Sequence, residues 1–124
     1  MKLIYTLLLI SFISCNNPKR DCSNFKTGSF EYEYELDGKN IKATFTRNDT
    51  LEIDYNKNSI DSISVRWIND CEYILKTIRP KNIAEKKSIH IKILNTKGNT
   101  YTFESKIIND PQKRLSRGTV TKVK

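Results

Sequence analysis

The chain has 124 residues, a formal net charge of +8 at pH 7, one histidine and three cysteines. This length suits one domain with a modest core. With one histidine and no C-x-x-C pair, a zinc site is not expected, nor is any cofactor. The basic charge favours anionic partners such as lipid headgroups or acidic glycans.

Residues 1–14 have the pattern of a secretory signal peptide. A positive start at Met1-Lys2 precedes an almost unbroken apolar run over residues 3–13. The run is too short to cross a bilayer comfortably as a helix, which favours a cleaved segment over an anchor. Export of the chain removes nucleic acid as a physiological partner.

Cys15 follows directly on Ser14, so cleavage before it leaves a cysteine as the first residue. The arrangement resembles the lipobox of bacterial lipoproteins, although Phe12 stands where that motif usually has an aliphatic residue. The resemblance implies lipidation of Cys15, and the polar residues 15–24 are expected to form a tether. Asn16 and the basic Lys19-Arg20 lack the acidic stretch that would suggest display on the cell exterior, so attachment to the outer membrane, facing the periplasm, is expected. The alternative is ordinary cleavage near Ser14, which produces a soluble periplasmic or secreted protein.

Two further cysteines remain, Cys22 and Cys71. If Cys15 carries lipid, their number is even, and a Cys22–Cys71 disulfide is expected in an oxidising compartment. Such a bond closes a loop of about fifty residues and stabilises the fold by roughly 4 kcal/mol through loop-closure entropy.

Alternation of apolar and polar residues dominates residues 25–110 and predicts half-buried β-strands. In the first, Phe30, Tyr32, Tyr34 and Leu36 share one face and three glutamates share the other, ahead of an Asp37-Gly38 hairpin signal. The apolar sets of the later strands are Ile41, Ala43 and Phe45; Leu51, Ile53 and Tyr55; Ile63, Val65 and Trp67; Cys71, Tyr73 and Leu75; Ile89, Ile91 and Ile93; and Tyr101, Phe103 and Ile107.

The predicted fold is all-β, an antiparallel meander of seven or eight short strands. A meander of this size is expected to curl into a curved sheet or a small lipocalin-like barrel, which hides its edges. The polar break over residues 80–87 has room for a helical turn around Ala84. Residues 111–124 form a basic C-terminal strand or tail, with a weak strand pattern near Thr119–Val123.

The sequence contains almost no combination of residues at the spacings typical of catalytic sites. By strand parity, His90 faces solvent between two isoleucines, so no catalytic residue is predicted. Arg47 has the same parity as Phe45 and points toward the apolar side. It is therefore a candidate for binding an anionic headgroup or carboxylate at a barrel mouth. The structural alternatives are cation–π stacking on a core aromatic and extension of the guanidinium to water at the strand end. Trp67 and Tyr73 are further candidates for lining a ligand cavity.

Two segments carry a resemblance to small exported bacterial proteins that are largely uncharacterised. These are C-S-N-F-K-T-G-S-F from Cys22 to Phe30, and W-I-N-D-C-E-Y from Trp67 to Tyr73, with Arg47 between them. Some members carry a DNA topoisomerase IV name, but that activity needs a far larger apparatus and a different compartment. The resemblance implies a common fold and disulfide, and it assigns no activity.

Together these observations predict a small exported lipoprotein without enzymatic activity, attached to a membrane through its N-terminal lipid. Its expected role is binding a small amphiphilic or anionic ligand. The alternative is an envelope interaction or structural module with a filled core, whose protein partner the sequence does not identify. An enzymatic function is the least favoured hypothesis.

Overall fold

The computed structural model describes residues 20–36 and 38–124, with the side chains of residues 34–36 left aside. The proposed signal peptide, Cys15 and Asp37 lie outside the described residues. Eight strands form a closed antiparallel barrel, each paired with its neighbours in sequence and the last with the first. The strands are β1 (Gly28–Leu36), β2 (Lys39–Arg47), β3 (Leu51–Asn56), β4 (Ser59–Asn69), β5 (Glu72–Thr77), β6 (Ile89–Lys97), β7 (Thr100–Ile107) and β8 (Leu115–Lys122).

The predicted all-β meander is therefore confirmed, and it closes as a barrel. Turns join most strands, and the longest connection, between β5 and β6, contains a 3-10 helix over Ala84–Lys86. This confirms the helical turn expected around Ala84. Within the described part of the chain, no helix has both the length and the apolar character needed to span a membrane.

The barrel interior is filled at one end, which we call the closed end. This end holds the start of β1 and the end of β2, and a 3-10 helix over Ser23–Phe25 lies across it. Phe25 is fully buried, and its ring meets the Tyr101 ring edge-on at 5.0 Å between centroids. Packing of Phe25 beneath the strands therefore seals the closed end.

The segment before β1 is fastened to the barrel at several points. Cys22 is bonded to Cys71, the Nη1 of Arg20 donates to the carbonyl of Ile93 over 3.0 Å, and the Nζ of Lys122 donates to the carbonyl of Asn24 over 2.8 Å. Residues 20–24, which we assigned to the polar tether, thus belong to the folded domain. The sequence pattern missed this because the contacts are made by residues far apart in the chain.

The inward face of β3 differs from the expectation. Leu51, Ile53 and Tyr55 were expected on the apolar face, but Glu52 is 4% exposed and lines the barrel interior with Asp54, whereas Tyr55 is 43% exposed. A carboxylate is buried without great cost only beside a positive partner. Arg47 at the end of β2 provides that partner, and this relationship overrides the hydropathy pattern.

The C-terminal segment is a full barrel strand rather than a tail. β8 pairs with β7 along seven positions, from Leu115 to Thr121, and with β1 along four. Its inward-facing Gly118 leaves room for the Phe103 ring, since a Cβ at that position would meet the ring at 2.7 Å. The weak sequence pattern of β8 reflects this reliance on a glycine where other strands place apolar side chains.

Candidate ligand-binding site

A cavity of about 230 Å³ occupies the barrel interior above the closed end. It extends from Arg47 to the opposite end of the barrel, where Lys87 and Ile89 lie beside the β5–β6 connection. Its wall is mainly aromatic and aliphatic: Tyr32, Phe45, Ile63, Tyr73, Leu75, Ile89, Ile91, Tyr101, Phe103 and Val120. Its other lining residues are Arg47, Glu52, Asp54, Thr77, Lys87 and Ser105. The site is thus an apolar chamber with a few polar groups, which is the usual composition of a small-molecule pocket.

Arg47 forms the floor of this cavity and is held by four hydrogen bonds. Its Nε donates to Oε2 of Glu52 over 2.8 Å, and its Nη1 donates to the carbonyl of Phe25 over 3.0 Å. Its Nη2 donates to the hydroxyls of Tyr73 over 3.0 Å and Tyr101 over 3.2 Å. Most of the donor capacity of the guanidinium is therefore used inside the protein.

Aromatic rings surround the same guanidinium. The Cζ of Arg47 lies 4.6 Å from the ring centroid of Tyr73, 5.0 Å from that of Phe45 and 5.1 Å from that of Phe30. These distances are within the range of cation–π attraction, which strengthens where water is excluded. Arg47 accordingly lies at the closed end and not at a barrel mouth, and its observed contacts are the stacking arrangement that the sequence left open as a structural alternative.

Tyr73 keeps its hydroxyl proton in this environment. Burial raises the pKa of Tyr73 well above its ordinary value, and this outweighs the opposing effect of the Arg47 charge. The Tyr73 and Tyr101 hydroxyls are also 3.2 Å apart, so one phenol can donate to the other while both accept from Arg47. The two phenols extend the polar floor of the cavity without adding a charge.

Two carboxyl groups from β3 stand beside this floor. Glu52 is paired with Arg47, and Asp54 follows two residues later on the same inward face. Burial, together with the neighbouring Glu52 carboxylate and a hydrogen bond to it, raises the pKa of Asp54 to about 8. Among the described residues, Oδ1 of Asp54 is buried and has no hydrogen-bond partner. Asp54 therefore has hydrogen-bonding capacity that the protein itself does not satisfy.

Of the three residues predicted to bind ligand, two line the cavity. Arg47 and Tyr73 belong to its floor, whereas Trp67 lies further toward the closed end, with its ring 4.6 Å from the Tyr73 ring and beneath the Lys26 ammonium. The Nε1 of Trp67 is buried with no partner in the described structure. Trp67 thus supports Tyr73 from behind.

The Cys22–Cys71 disulfide predicted from the cysteine count is present, with 5.3 Å between the Cα atoms. It ties the segment that seals the closed end to the β4–β5 turn. Disulfides form and persist in oxidising environments and are rare in the cytosol. This bond is therefore typical of a protein outside the cytoplasm.

The lone histidine lies away from the cavity. His90 is on the outer face of β6, and its Nε2 is 3.0 Å from Oε1 of Glu72 on β5. Within the described ranges, no group of three or more His, Cys, Asp or Glu side chains is arranged to hold a metal ion. The polar groups that line the cavity are candidates for recognising a ligand.

Comparison of the chain with protein-family models, curated proteins and solved structures gave no match.

Glu52 and Asp54 are the functional candidates that the sequence reasoning missed. They alternate in β3 with the same spacing as the apolar residues, so the pattern fits either face pointing inward. The available signal was Arg47, an inward-pointing cation only five residues before Glu52. A buried cation needs an anion within reach, and Glu52 is the nearest glutamate along the chain on the following strand.

Proposed function

We propose that the protein is a non-enzymatic carrier that holds a small amphiphilic molecule inside its barrel. The observation that carries this proposal is the cavity of about 230 Å³ with an apolar wall and polar groups near its floor. A dry cavity of about 150 Å³ is enough to hold benzene. The chamber is therefore matched to a molecule with one ring, or a short chain, and a polar substituent.

The composition of the cavity also argues for binding over a filled core. Aromatic and aliphatic walls supply a favourable free energy for removing an apolar group from water. The polar groups near the floor can then select the orientation of the bound molecule. An interaction module has no need of such a space, and an unfilled cavity lowers the stability of a fold.

We also propose that the carrier is exported and anchored through lipid on Cys15 to the outer membrane, facing the periplasm. The signal-like residues 1–14 and the Cys22–Cys71 disulfide support this, since both are typical of exported proteins. Acyl chains contribute about 0.8 kcal/mol per buried methylene, so more than one chain holds a protein firmly at a membrane. Replacement of Cys15 by Ala should release the protein from the membrane fraction.

An interaction module is the second candidate, and one surface feature favours it. Ile60, Ile78 and Ile83 are 69%, 50% and 77% exposed. Leu51, Ile60 and Ile78 line one shallow groove on the outside of the barrel. A contiguous exposed apolar patch is a common mark of a protein–protein interface. Ile60→Lys would abolish crosslinking to a partner under this alternative and leave small-molecule binding unchanged.

Native mass spectrometry tests the carrier function directly. The full-length protein, extracted from its host membrane in mild detergent, should show a bound small molecule in addition to its covalent mass. Ser105 lines the cavity, so Ser105→Phe should fill the space and remove that additional mass. The matched control is Thr119→Phe on β8, where the side chain is exposed on the barrel surface.

The two variants separate the outcomes. Loss of the bound mass in Ser105→Phe together with its retention in Thr119→Phe supports the cavity as the binding site. A bound mass that persists in both variants would place the ligand elsewhere. A protein that remains empty, and that does not take up toluene in solution, would overturn the carrier proposal and leave the interaction module.

A further inference from the structure

The polar groups of the cavity differ in how many of their hydrogen-bonding atoms are still free to contact a ligand. The Arg47 guanidinium is saturated on most of its N–H groups and stacked among aromatic rings. Oε2 of Glu52 already accepts from Arg47 over 2.8 Å. An anionic head entering the cavity would therefore have to compete with Glu52 for Arg47 and would itself lie beside a carboxylate.

Asp54, in contrast, can still accept a hydrogen bond from a ligand. It lines the cavity, and its Oδ1 has no hydrogen-bond partner among the described residues. Burial disfavours the charged form of its carboxyl group and so raises its pKa. A buried carboxyl group is stabilised by an N–H donor, most strongly by a charged one. The donor that suits Asp54 is consequently the ammonium group of a primary amine.

The charged groups around Asp54 reinforce this preference. Glu52 lies on the same strand and is paired with Arg47 from β2. Asp61 on β4 is the partner of Asp54 in the strand register and is paired with Lys81 over 3.7 Å, and Lys87 on the far side of the cavity is exposed. Glu52 and Asp61 still raise the pKa of Asp54, so a positive head beside Asp54 lowers the repulsion among these carboxylates.

We propose that the cavity selects a small apolar molecule bearing a primary amine, with the ring or chain against the aliphatic wall and the ammonium group on Asp54. The inference rests on the proposed carrier function and specifies its ligand class. It reverses the expectation of an anionic ligand on Arg47, since the geometry leaves Oδ1 of Asp54 without a partner and most N–H groups of Arg47 satisfied.

A comparison of four single-ring probes tests the inference: benzylamine, benzyl alcohol, toluene and benzoate. Binding to the full-length protein is followed by NMR titration at pH 8. We expect benzylamine to bind at least tenfold more tightly than toluene or benzyl alcohol, and benzoate to bind most weakly. Asp54→Asn should remove the advantage of benzylamine and preserve toluene binding.

The matched control is Asp70→Asn, the same chemical change at a side chain that is 92% exposed in the β4–β5 turn. It should leave the order of the four probes unchanged. Benzylamine that binds no better than toluene to the unaltered protein overturns the amine inference while leaving the carrier function intact. Failure of all four probes, toluene included, overturns the carrier function itself.

Proton release supplies a readout that needs no variant. Below pH 8 the Asp54 carboxyl is mainly protonated, and it must lose that proton when an ammonium group binds. Calorimetry at pH 7 in buffers of different ionisation enthalpy should show release of close to one proton per benzylamine and none for toluene. The affinity for benzylamine should rise by up to tenfold per pH unit between pH 6 and pH 8; a flat profile without proton release contradicts the role of Asp54.

Discussion

Arg47 and Glu52 form an ion pair of 2.8 Å between Nε and Oε2, and their side chains are only 1% and 5% exposed. The pair contributes both to the sealing of the closed end and to the floor of the cavity. Arg47 reaches down to the carbonyl of Phe25, which seals the barrel, and also supports the floor of the cavity. Replacement of Arg47 is therefore expected to reduce the stability of the fold more than the affinity for a ligand.

Replacement of Glu52 by Gln should destabilise the protein by about 3–5 kcal/mol, because it leaves the buried Arg47 charge without its counterion. Chemical denaturation measures this change in the free energy of unfolding. Glu104→Gln is the control, since its partner Arg117 is 73% exposed and Glu104 is itself partly open to solvent, so the pair should contribute less than about 1 kcal/mol. A loss in Glu52→Gln no larger than that of the control would show that Arg47 finds other compensation.

The disulfide predicts a second stability change. Cys22 and Cys71 are 49 residues apart in sequence, and a bridge of this span stabilises a fold by roughly 4 kcal/mol through the entropy of the unfolded chain. The double variant Cys22→Ser/Cys71→Ser should melt more than ten degrees below the oxidised protein. Reducing agent should lower the melting temperature of the unaltered protein and leave that of the variant unchanged. Equal melting temperatures for the two proteins would contradict a stabilising role for the bond.

Asp54 predicts a pH dependence of stability with a defined sign. Its pKa is about 8 in the folded state against an ordinary value of 3.8, so the folded protein retains a proton that the unfolded chain releases. The contribution of Asp54 to stability is thus fully present below pH 4 and is lost as the pH rises toward 8, with a slope of at most about 1.4 kcal/mol per pH unit. Asp54→Asn should flatten the fall in melting temperature between pH 5 and pH 8.

Asp70→Asn serves as the control for that pH profile, because Asp70 is exposed and far from the cavity. It should reproduce the slope of the unaltered protein. A slope that is the same in Asp54→Asn as in both other proteins would mean that Asp54 titrates normally.

A side chain at Gly118 should reduce ligand binding, although Gly118 itself does not line the cavity. A Cβ at Gly118 would meet the Phe103 ring at 2.7 Å, so Gly118→Ala must push that ring aside. Phe103 lines the cavity, and its displacement into the chamber should weaken toluene binding several-fold with a modest loss of stability. Thr119→Ala, at the adjacent exposed position, should change neither property. Unchanged toluene binding in Gly118→Ala would mean that the ring moves away from the cavity.

The alternation of apolar and polar residues was sufficient to predict the first seven strands and their antiparallel order, whereas β8 had only a weak pattern. Tyr73 and Ile91 are typical, since each is buried on the face that period-two alternation indicates. Strand alternation is a local property of the chain, and short turns between strands favour antiparallel neighbours. The cysteine count led to the Cys22–Cys71 bond for a similarly simple reason, because a pair of remaining thiols in an oxidising environment has one way to pair.

The tertiary structure alone decided which face of β3 points inward and how the barrel closes. Glu52 is buried because Arg47 compensates its charge, and Arg47 is in turn held by Tyr73 and Tyr101 from other strands. Asp54 points into the cavity beside this pair, and its pKa is raised. β8 closes the barrel through pairing with β1 and β7, with Gly118 accommodating a ring from the neighbouring strand. Burial of a charge and closure of a sheet both depend on partners distant in sequence. The local pattern therefore specifies the strands, while the identity of the unsatisfied group in the cavity emerges only from their assembly.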